Sequence, residues 1–310
     1  MTTVLGAMFF GTRTDEATSM RLLDRFVERG GGWIDTANCY AFWSDPSGVG
    51  GQSERVIGRW LASRPGARER VRIATKVRHQ PTIPHRWPES AEGLSAPVIR
   101  DAVRRSLERL GTDRIDLYWA HADDREVPQE ETVAAFAELV DAGLVDRLGA
   151  ANYAIWRFDR ARSLARTLGV PGYSALQLRW SYLRPRPGAK LPDDGHLYAG
   201  EEALDYVAAD PKLAMWGYTP LINGGYVRAD KPLPEAYDHP GTTRRLAALD
   251  EVVAQTGVTR NQVVLAWLRG GTPAVAPIVG VSTVEQLDEA LDAEALTLSS
   301  RQRDLLDAAA

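Results

Sequence analysis

Eight short apolar runs, each followed by a longer stretch of helical period, leave this chain few ways to fold. They are VLGAMFF (4–10), WIDTA (33–37), RIATKV (72–77), IDLYWA (115–120), RLGAA (147–151), ALQL (175–178), AMWGY (214–218) and VAPIVG (275–280). Most are hydrophobic throughout rather than alternating, the pattern of parallel strands buried on both faces. The spacing predicts helices over 15–29, 52–63, 95–110, 130–142, 156–168, 200–209, 244–256, 260–269, 283–291 and 299–308. The clearest opens with Ser95 as N-cap before Pro97, carries Ile99, Val103, Leu107 and Leu110 on one stripe, and stops at Gly111. Eight such units in 310 residues, with no low-complexity stretch or Pro/Gly-rich linker, predict an α/β chain folded as one (β/α)8 TIM barrel domain over 1–310. A doubly wound sheet is the rival architecture. The long irregular segments 78–96, 180–199 and 222–243 follow strands three, six and seven. They are therefore expected on the C-terminal face, where this architecture keeps its chemistry.

Composition removes several function classes. A net charge of −4 with interspersed signs gives no electrostatic footprint for nucleic acid or an anionic membrane. Cys39 is the single cysteine, so the chain has no internal disulfide and no multi-cysteine metal site, and a reducing cytoplasm is the expected home. The opening MTTVLGAMFFGTRTDEA lacks the basic region of a signal peptide. No apolar run approaches the ~20 residues of a membrane span.

Polar groups gather where the strands end. Asp35 closes strand two and Tyr40 stands five residues on; Lys76 ends strand three and His121 follows strand four. Taken singly, each has a bland explanation: a turn former, a packed ring, a cation reaching solvent. Four of them at equivalent ends of three consecutive strands point to one rim and to proton transfer. A lysine cation beside a phenol favours the phenolate and is expected to lower its pKa, while an aspartate keeps the ammonium charged and oriented. A histidine nearby can orient a carbonyl oxygen. The set contains no metal triad. An alternative is a barrel hydrolase or isomerase in which Asp35 and His121 act on substrate directly.

Asp35, Tyr40, Lys76 and His121 resemble the catalytic tetrad of the aldo-keto reductases. GTRTDEATSMRLLDRFVERGGGWIDTANCY (11–40) and GGQSERVIGRWL (50–61) are similar to segments flanking it in that family, and the resemblance covers essentially the whole chain. It implies reversible, NAD(P)H-dependent reduction of an aldehyde or ketone, with hydride from nicotinamide and a proton from Tyr40. It also implies cofactor positions. Gly11 and Thr12 match the loop bordering the ribose and diphosphate, and Asn152 and Gln177 the pair that binds the carboxamide. Tyr218 matches the aromatic stacked on the nicotinamide, Thr219 and Leu221 its neighbours, and Gly280, Ser282, Thr283, Gln286 and Glu289 the adenosine end. Ala151 and Ala290 depart from the family's Ser and Asn. NADP(H) is favoured over NAD(H), although residues 271–300 hold no Lys or Arg to grip a 2′-phosphate. Arg228, on the long loop after strand seven, could fold over and supply that charge.

The resemblance also implies a small-molecule carbonyl substrate. The N-terminal hairpin and the closing C-terminal tail of many members are not expected here, so the cleft walls must come from the rim. Phe42, Trp43 and Trp87 are the proposed walls, with Trp180 and Tyr182 as either further wall or loop packing. Flat aromatic walls suit a bulky, ring-bearing carbonyl compound. The alternative within the family is a regulatory protein that senses the cofactor without useful turnover. Oligomeric state is not legible in the sequence.

Overall fold

Eight parallel strands close on themselves in sequence order, β1 hydrogen-bonding to β8, so the chain is a (β/α)8 barrel. The computed structural model describes residues 2–189 and 195–309; of the segment 180–199, residues 190–194 lie outside the described ones. The strands are β1 Val4–Gly6, β2 Trp33–Asp35, β3 Arg72–Val77, β4 Leu117–Ala120, β5 Leu148–Ala151, β6 Tyr173–Arg179, β7 Ala214–Tyr218 and β8 Val275–Gly280. The helices are α1 Glu16–Glu28, α2 Gln52–Ser63, α3 Ala67–Arg70, α4 Ala96–Leu110, α5 Gln129–Asp141, α6 Ile155–Leu168, α7 Glu201–Ala208, α8 Pro240–Thr256, α9 Arg260–Arg269, α10 Val284–Asp292 and α11 Ser300–Ala308. Among the described residues no helix is long and apolar enough to cross a membrane.

Several boundaries differ from those expected. The run 4–10 yields only three strand residues. Its ladder ends as Ala7 N donates to Asp35 O, and the chain then turns through Phe10 N to Ala7 O. Gly11 sits in that turn at φ 76, where a Cβ would lie 2.7 Å from Val56 Cγ2, so the apolar MFF packs as a loop rather than extending the sheet. β6 is longer than its apolar run because Tyr173 and Arg179 join the ladder at either end. The short α3, sequence ARER, carries no apolar period for a sequence pattern to reveal. At α4, Ser95 takes the extended N-cap conformation but its side chain caps nothing; Glu131 of α5 accepts from Ala96 N instead.

The barrel interior is filled rather than hollow. Val4, Ala74, Leu117, Trp119, Ala175, Trp216, Ala276 and Ile278 form one buried cluster with Trp33 against it. Trp216 meets Trp33 and Trp119 edge-on at centroid distances of 5.2 and 5.3 Å. Gly149 of β5 makes room for this, since a Cβ there would lie 2.3 Å from the Trp119 ring. A second, larger apolar layer joins the outer faces of the strands to the helices. At ~25 cal/mol per Å2 of apolar surface, each of these large side chains contributes about 2–3 kcal/mol on burial.

Candidate active site

The C-terminal ends of β2 and β3 bring three of the four rim groups into direct contact. Lys76 Nζ donates to Asp35 Oδ2 at 2.6 Å, to the Thr36 carbonyl at 2.8 Å and to Tyr40 Oη at 2.9 Å. Lys76 is fully buried and Asp35 nearly so, whereas Tyr40 is half-buried and reaches the mouth. His121, just past β4, lies edge-on to the Tyr40 ring at 5.7 Å, and its Nδ1 is 3.5 Å from Cys39 Sγ. The Ser-Glu segment of α2 braces this arrangement from behind. Ser53 Oγ donates to Ala7 O and contacts Thr36 Oγ1, both at 2.7 Å. Glu54, fully buried, accepts from Thr75 Oγ1 and Arg109 Nε, both at 2.6 Å. Three neighbouring strands are thereby locked in register beneath the reacting groups.

Burial governs the electrostatics. It pushes the Asp35 carboxyl up and the Lys76 ammonium down, while the contact between them opposes both shifts. Burial also holds the Tyr40 phenol well above its ordinary value, and the Asp35 charge acts the same way. The lowered phenol expected from a lysine neighbour is thus not found. The Lys76 charge is matched by Asp35 2.6 Å away, leaving little net field to offset desolvation. His121 is pushed well below its ordinary value by burial, then by His79 and Lys76, and is a neutral ring at pH 7. A protonated phenol beside a neutral imidazole is an acid and a hydrogen-bond donor facing one opening.

The resemblance-derived positions fall around that opening. Asn152 is in the left-handed region at φ 54; its Nδ2 donates to His121 O at 3.1 Å, and its Oδ1 accepts from Tyr218 Oη at 2.7 Å and from Leu197 N at 3.1 Å. Gln177 Nε2 lies 3.4 Å from Asp35 Oδ1. Thr219 is also left-handed, and Leu221 is half-buried against the outer core. Thr12 Oγ1 donates to Phe9 O, closing the turn that Gly11 shapes. At the end of β8, a Cβ on Gly280 would meet nothing within 4 Å, so the surface there is open. Thr283 caps α10 by accepting from Gln286 N, Gln286 Oε1 accepts from Ser282 N and Oγ, and Glu289 is engaged by Thr259 Oγ1. An open strand end beside a helix N-terminus fits the negative end of a nucleotide. Arg228 is already paired with Asp230 at 2.5 Å.

Phe42, Trp43 and Trp87 form a ring ladder at the mouth. Phe42 lies 5.0 Å from Trp43 and 5.8 Å from Trp87, and both tryptophans are more than two-fifths exposed. Trp180 and Tyr182 are instead core, 3% and 0% exposed, packed against Trp267. Three groups at the rim escaped the sequence reading. Arg78 and His79, directly after β3, are consecutive non-glycine residues at φ 96 and 74. Buried Glu92 holds them: its Oε1 accepts from Arg78 N and from the Asn38 amide, its carbonyl accepts from His79 N, and Arg105 pairs with Oε2 at 3.1 Å. His79 could have been found by extending the strand-end argument three residues beyond Lys76. Glu92 carries no signal in its loop. Among the described residues, no group of His, Cys, Asp and Glu could hold a metal ion.

The model of the Aldo/keto reductase family matches residues 3–310, and the chain belongs to that family. It is 33% identical to the uncharacterized oxidoreductase YrpG of Bacillus subtilis (strain 168), over 95% of this chain and 87% of that protein. It is also 33% identical to the norsolorinic acid reductase stcV of Emericella nidulans, over 96% of this chain and 75% of that one. The crystal structure of a thermostable aldo-keto reductase, Tm1743, in complex with the inhibitor epalrestat superposes with a TM-score of 0.75 at 25% identity, over 99% and 94% of the two chains. The chain is accordingly an oxidoreductase of a family that reduces carbonyl compounds with nicotinamide cofactors.

Proposed function

We propose that this aldo-keto reductase family member reduces a bulky aldehyde or ketone to the alcohol, reversibly, with Tyr40 as proton donor and NADP(H) as the favoured cofactor. The observation that carries the reading is the single ammonium of Lys76 bonded to both the Asp35 carboxylate and the Tyr40 hydroxyl, beside a neutral His121. Reduced nicotinamide, when bound at this rim, would supply the hydride. Gly11, Thr12, Asn152, Gln177, Tyr218, Thr219, Leu221, Gly280, Ser282, Gln286 and Glu289 are the residues assigned to hold the dinucleotide. His121 orients the carbonyl oxygen toward Tyr40, and Tyr40 gives up its proton as negative charge develops there. A positioned acid of this kind contributes about 10² to 10⁴ in rate. Lys76, 2.9 Å from the phenol oxygen, then bears the phenolate charge, and Asp35 keeps the ammonium in place.

Phe42, Trp43 and Trp87 are assigned to the substrate walls, and the ring ladder suits a large flat compound. The preference for NADP(H) rests on the family. It is expected to be modest, because the adenosine end offers Ser282 and Gln286 rather than a cation. The one cysteine, Cys39, is free and buried, which suits a reducing cytoplasm. The test is a fluorescence titration with NADPH and NADH, followed by a carbonyl screen with the tighter of the two. Absence of binding by either nucleotide would overturn the reading.

A further inference from the structure

His121 has a neighbour that the proposed chemistry leaves without a part. The ring is half-buried just past β4, and its Nδ1 lies 3.5 Å from Cys39 Sγ, the one hydrogen-bonding contact its side chain makes with the described residues. Cys39 immediately precedes Tyr40 and is 2% exposed. Its backbone is fixed. The Cys39 carbonyl accepts from Phe42 N at 3.3 Å, and Gly50 packs so closely behind it that a Cβ there would lie 2.6 Å from Cys39 Cα.

A thiol at that place decides which ring nitrogen carries the proton. Burial, then the Glu92 charge, push the Cys39 thiol up, so its S–H stays intact at neutral pH. The neutral His121 ring has one N–H and one lone pair. Sulfur is a weak acceptor, whereas the imidazole lone pair is basic enough to take a proton near pH 6.5 in water. S–H donating to Nδ1 is therefore the better pairing than Nδ1–H donating to Sγ. The lone pair then sits on Nδ1 and the proton on Nε2. The opposite tautomer would leave a lone pair on Nε2, and a carbonyl oxygen, which only accepts, could not be held there.

We infer that Cys39 is a positioning residue: its thiol donates to His121 Nδ1 and thereby keeps the proton on Nε2, the nitrogen left to hold the substrate carbonyl. This rests on the carbonyl-reductase reading above and adds a residue to it. Cys39 touches neither substrate nor nucleotide in this role; it acts through the His121 ring alone. The loop that delivers the acid also sets the donor beside it, so the two groups meeting the carbonyl oxygen are governed by consecutive residues, Cys39 and Tyr40.

Two readouts test this. In nucleotide-free protein carrying isotopically labelled histidine, long-range proton–nitrogen spectra separate ring nitrogens that bear a proton from those that do not, and the His121 pair is identified by its loss in His121→Gln. Wild type and Cys39→Ser, which keeps a donor in the same place, are expected to show a bare Nδ1 and a protonated Nε2. Cys39→Ala is expected to show both tautomers in exchange. In steady-state assays kcat of Cys39→Ala is expected to fall about three- to tenfold, the size of one hydrogen bond, with Cys39→Ser within about twofold of wild type and nucleotide affinity unchanged in both. A protonated Nδ1 in the wild type, an unchanged single tautomer or undiminished kcat in Cys39→Ala, or a loss in Cys39→Ser as large as in Cys39→Ala would overturn the inference. If no carbonyl is turned over with either nucleotide, the carbonyl-reductase reading fails, and the ring nitrogens still decide whether Cys39 sets the tautomer.

Discussion

Replacing Lys76 by Met strikes the site where its charges are balanced. All three ammonium hydrogens are committed, to Asp35, Thr36 and Tyr40, and the side chain has no exposure at all. Met is close in length and carries no charge, so Asp35 is left 1% exposed without a counter-ion. Removing one partner of a buried ion pair costs about 3–5 kcal/mol. With ~2.1 cal/mol/K of unfolding entropy per residue, a 310-residue chain loses about 5–8 °C of Tm at pH 7. With Lys76 gone, burial dominates and raises the Asp35 pKa further above its unfolded value of 3.8, opposed only by the hydrogen bonds from Gln177 and Trp119. The stability such a carboxyl offers is present below that unfolded value and is lost as pH rises through the folded one. The deficit against wild type should therefore shrink on acidification. The double variant Asp35→Asn/Lys76→Met removes both charges and should regain most of the Tm, yet stay about 10² to 10⁴ below wild type in turnover. Scanning calorimetry at neutral and mildly acidic pH, with steady-state rates alongside, separates the two roles. An unchanged Tm in the single variant at pH 7, or a double variant melting no higher than the single, would refute the reasoning.

Tyr40→Phe should lower kcat by about 10² or more while nucleotide affinity stays within a few-fold, read by pre-steady-state rates and fluorescence titration; near-wild-type turnover would remove Tyr40 from the acid's role. Trp43→Ala and Trp87→Ala should raise KM for polycyclic ketones far more than for a small aldehyde, and equal effects on both classes would take these rings out of the cleft wall. Stability should fall as pH drops from 6.5 toward 4, because the unfolded chain takes up the His79 proton first. The facing groups, Arg78, His196 and Asp124, set the size of the effect, at most about 3 kcal/mol and less for a partly exposed ring. Denaturant unfolding of wild type and His79→Asn across that range should show a shallower acid limb in the variant, and identical limbs would argue against a neutral buried ring.

The barrel was legible because parallel strands buried on both faces must be apolar throughout, and β3, β7 and β8 came out with the boundaries their runs predict. The four rim groups were legible because a polar residue at the tip of such a run has nothing to pack against. The missed features are of another kind. The early end of β1 depends on a turn whose Gly11 presses against Val56 of a later helix, a contact with no sequence periodicity. Glu92 acts on Asn38, Arg78 and Arg105, which are 54, 14 and 13 residues away, so no local pattern could reveal it. The direction of the Tyr40 shift was misjudged for a similar reason. A pairwise rule sees the lysine, but the answer depends on how completely Asp35 cancels it.

The edge-on cluster of Trp33, Trp216 and Trp119 in the barrel interior has a consequence for how such a protein can diversify. Three interlocked indoles make an incompressible floor, and a substrate cannot gain room by sinking between the strands. Accommodation of a new molecule must happen upward, among the segments that carry Trp87, Trp43 and His79. Variation in those segments leaves the strand register untouched, while variation in the floor disturbs chemistry and stability together. A library aimed at changing what this enzyme accepts should randomise the rim and leave the indoles alone, and its survivors should concentrate there.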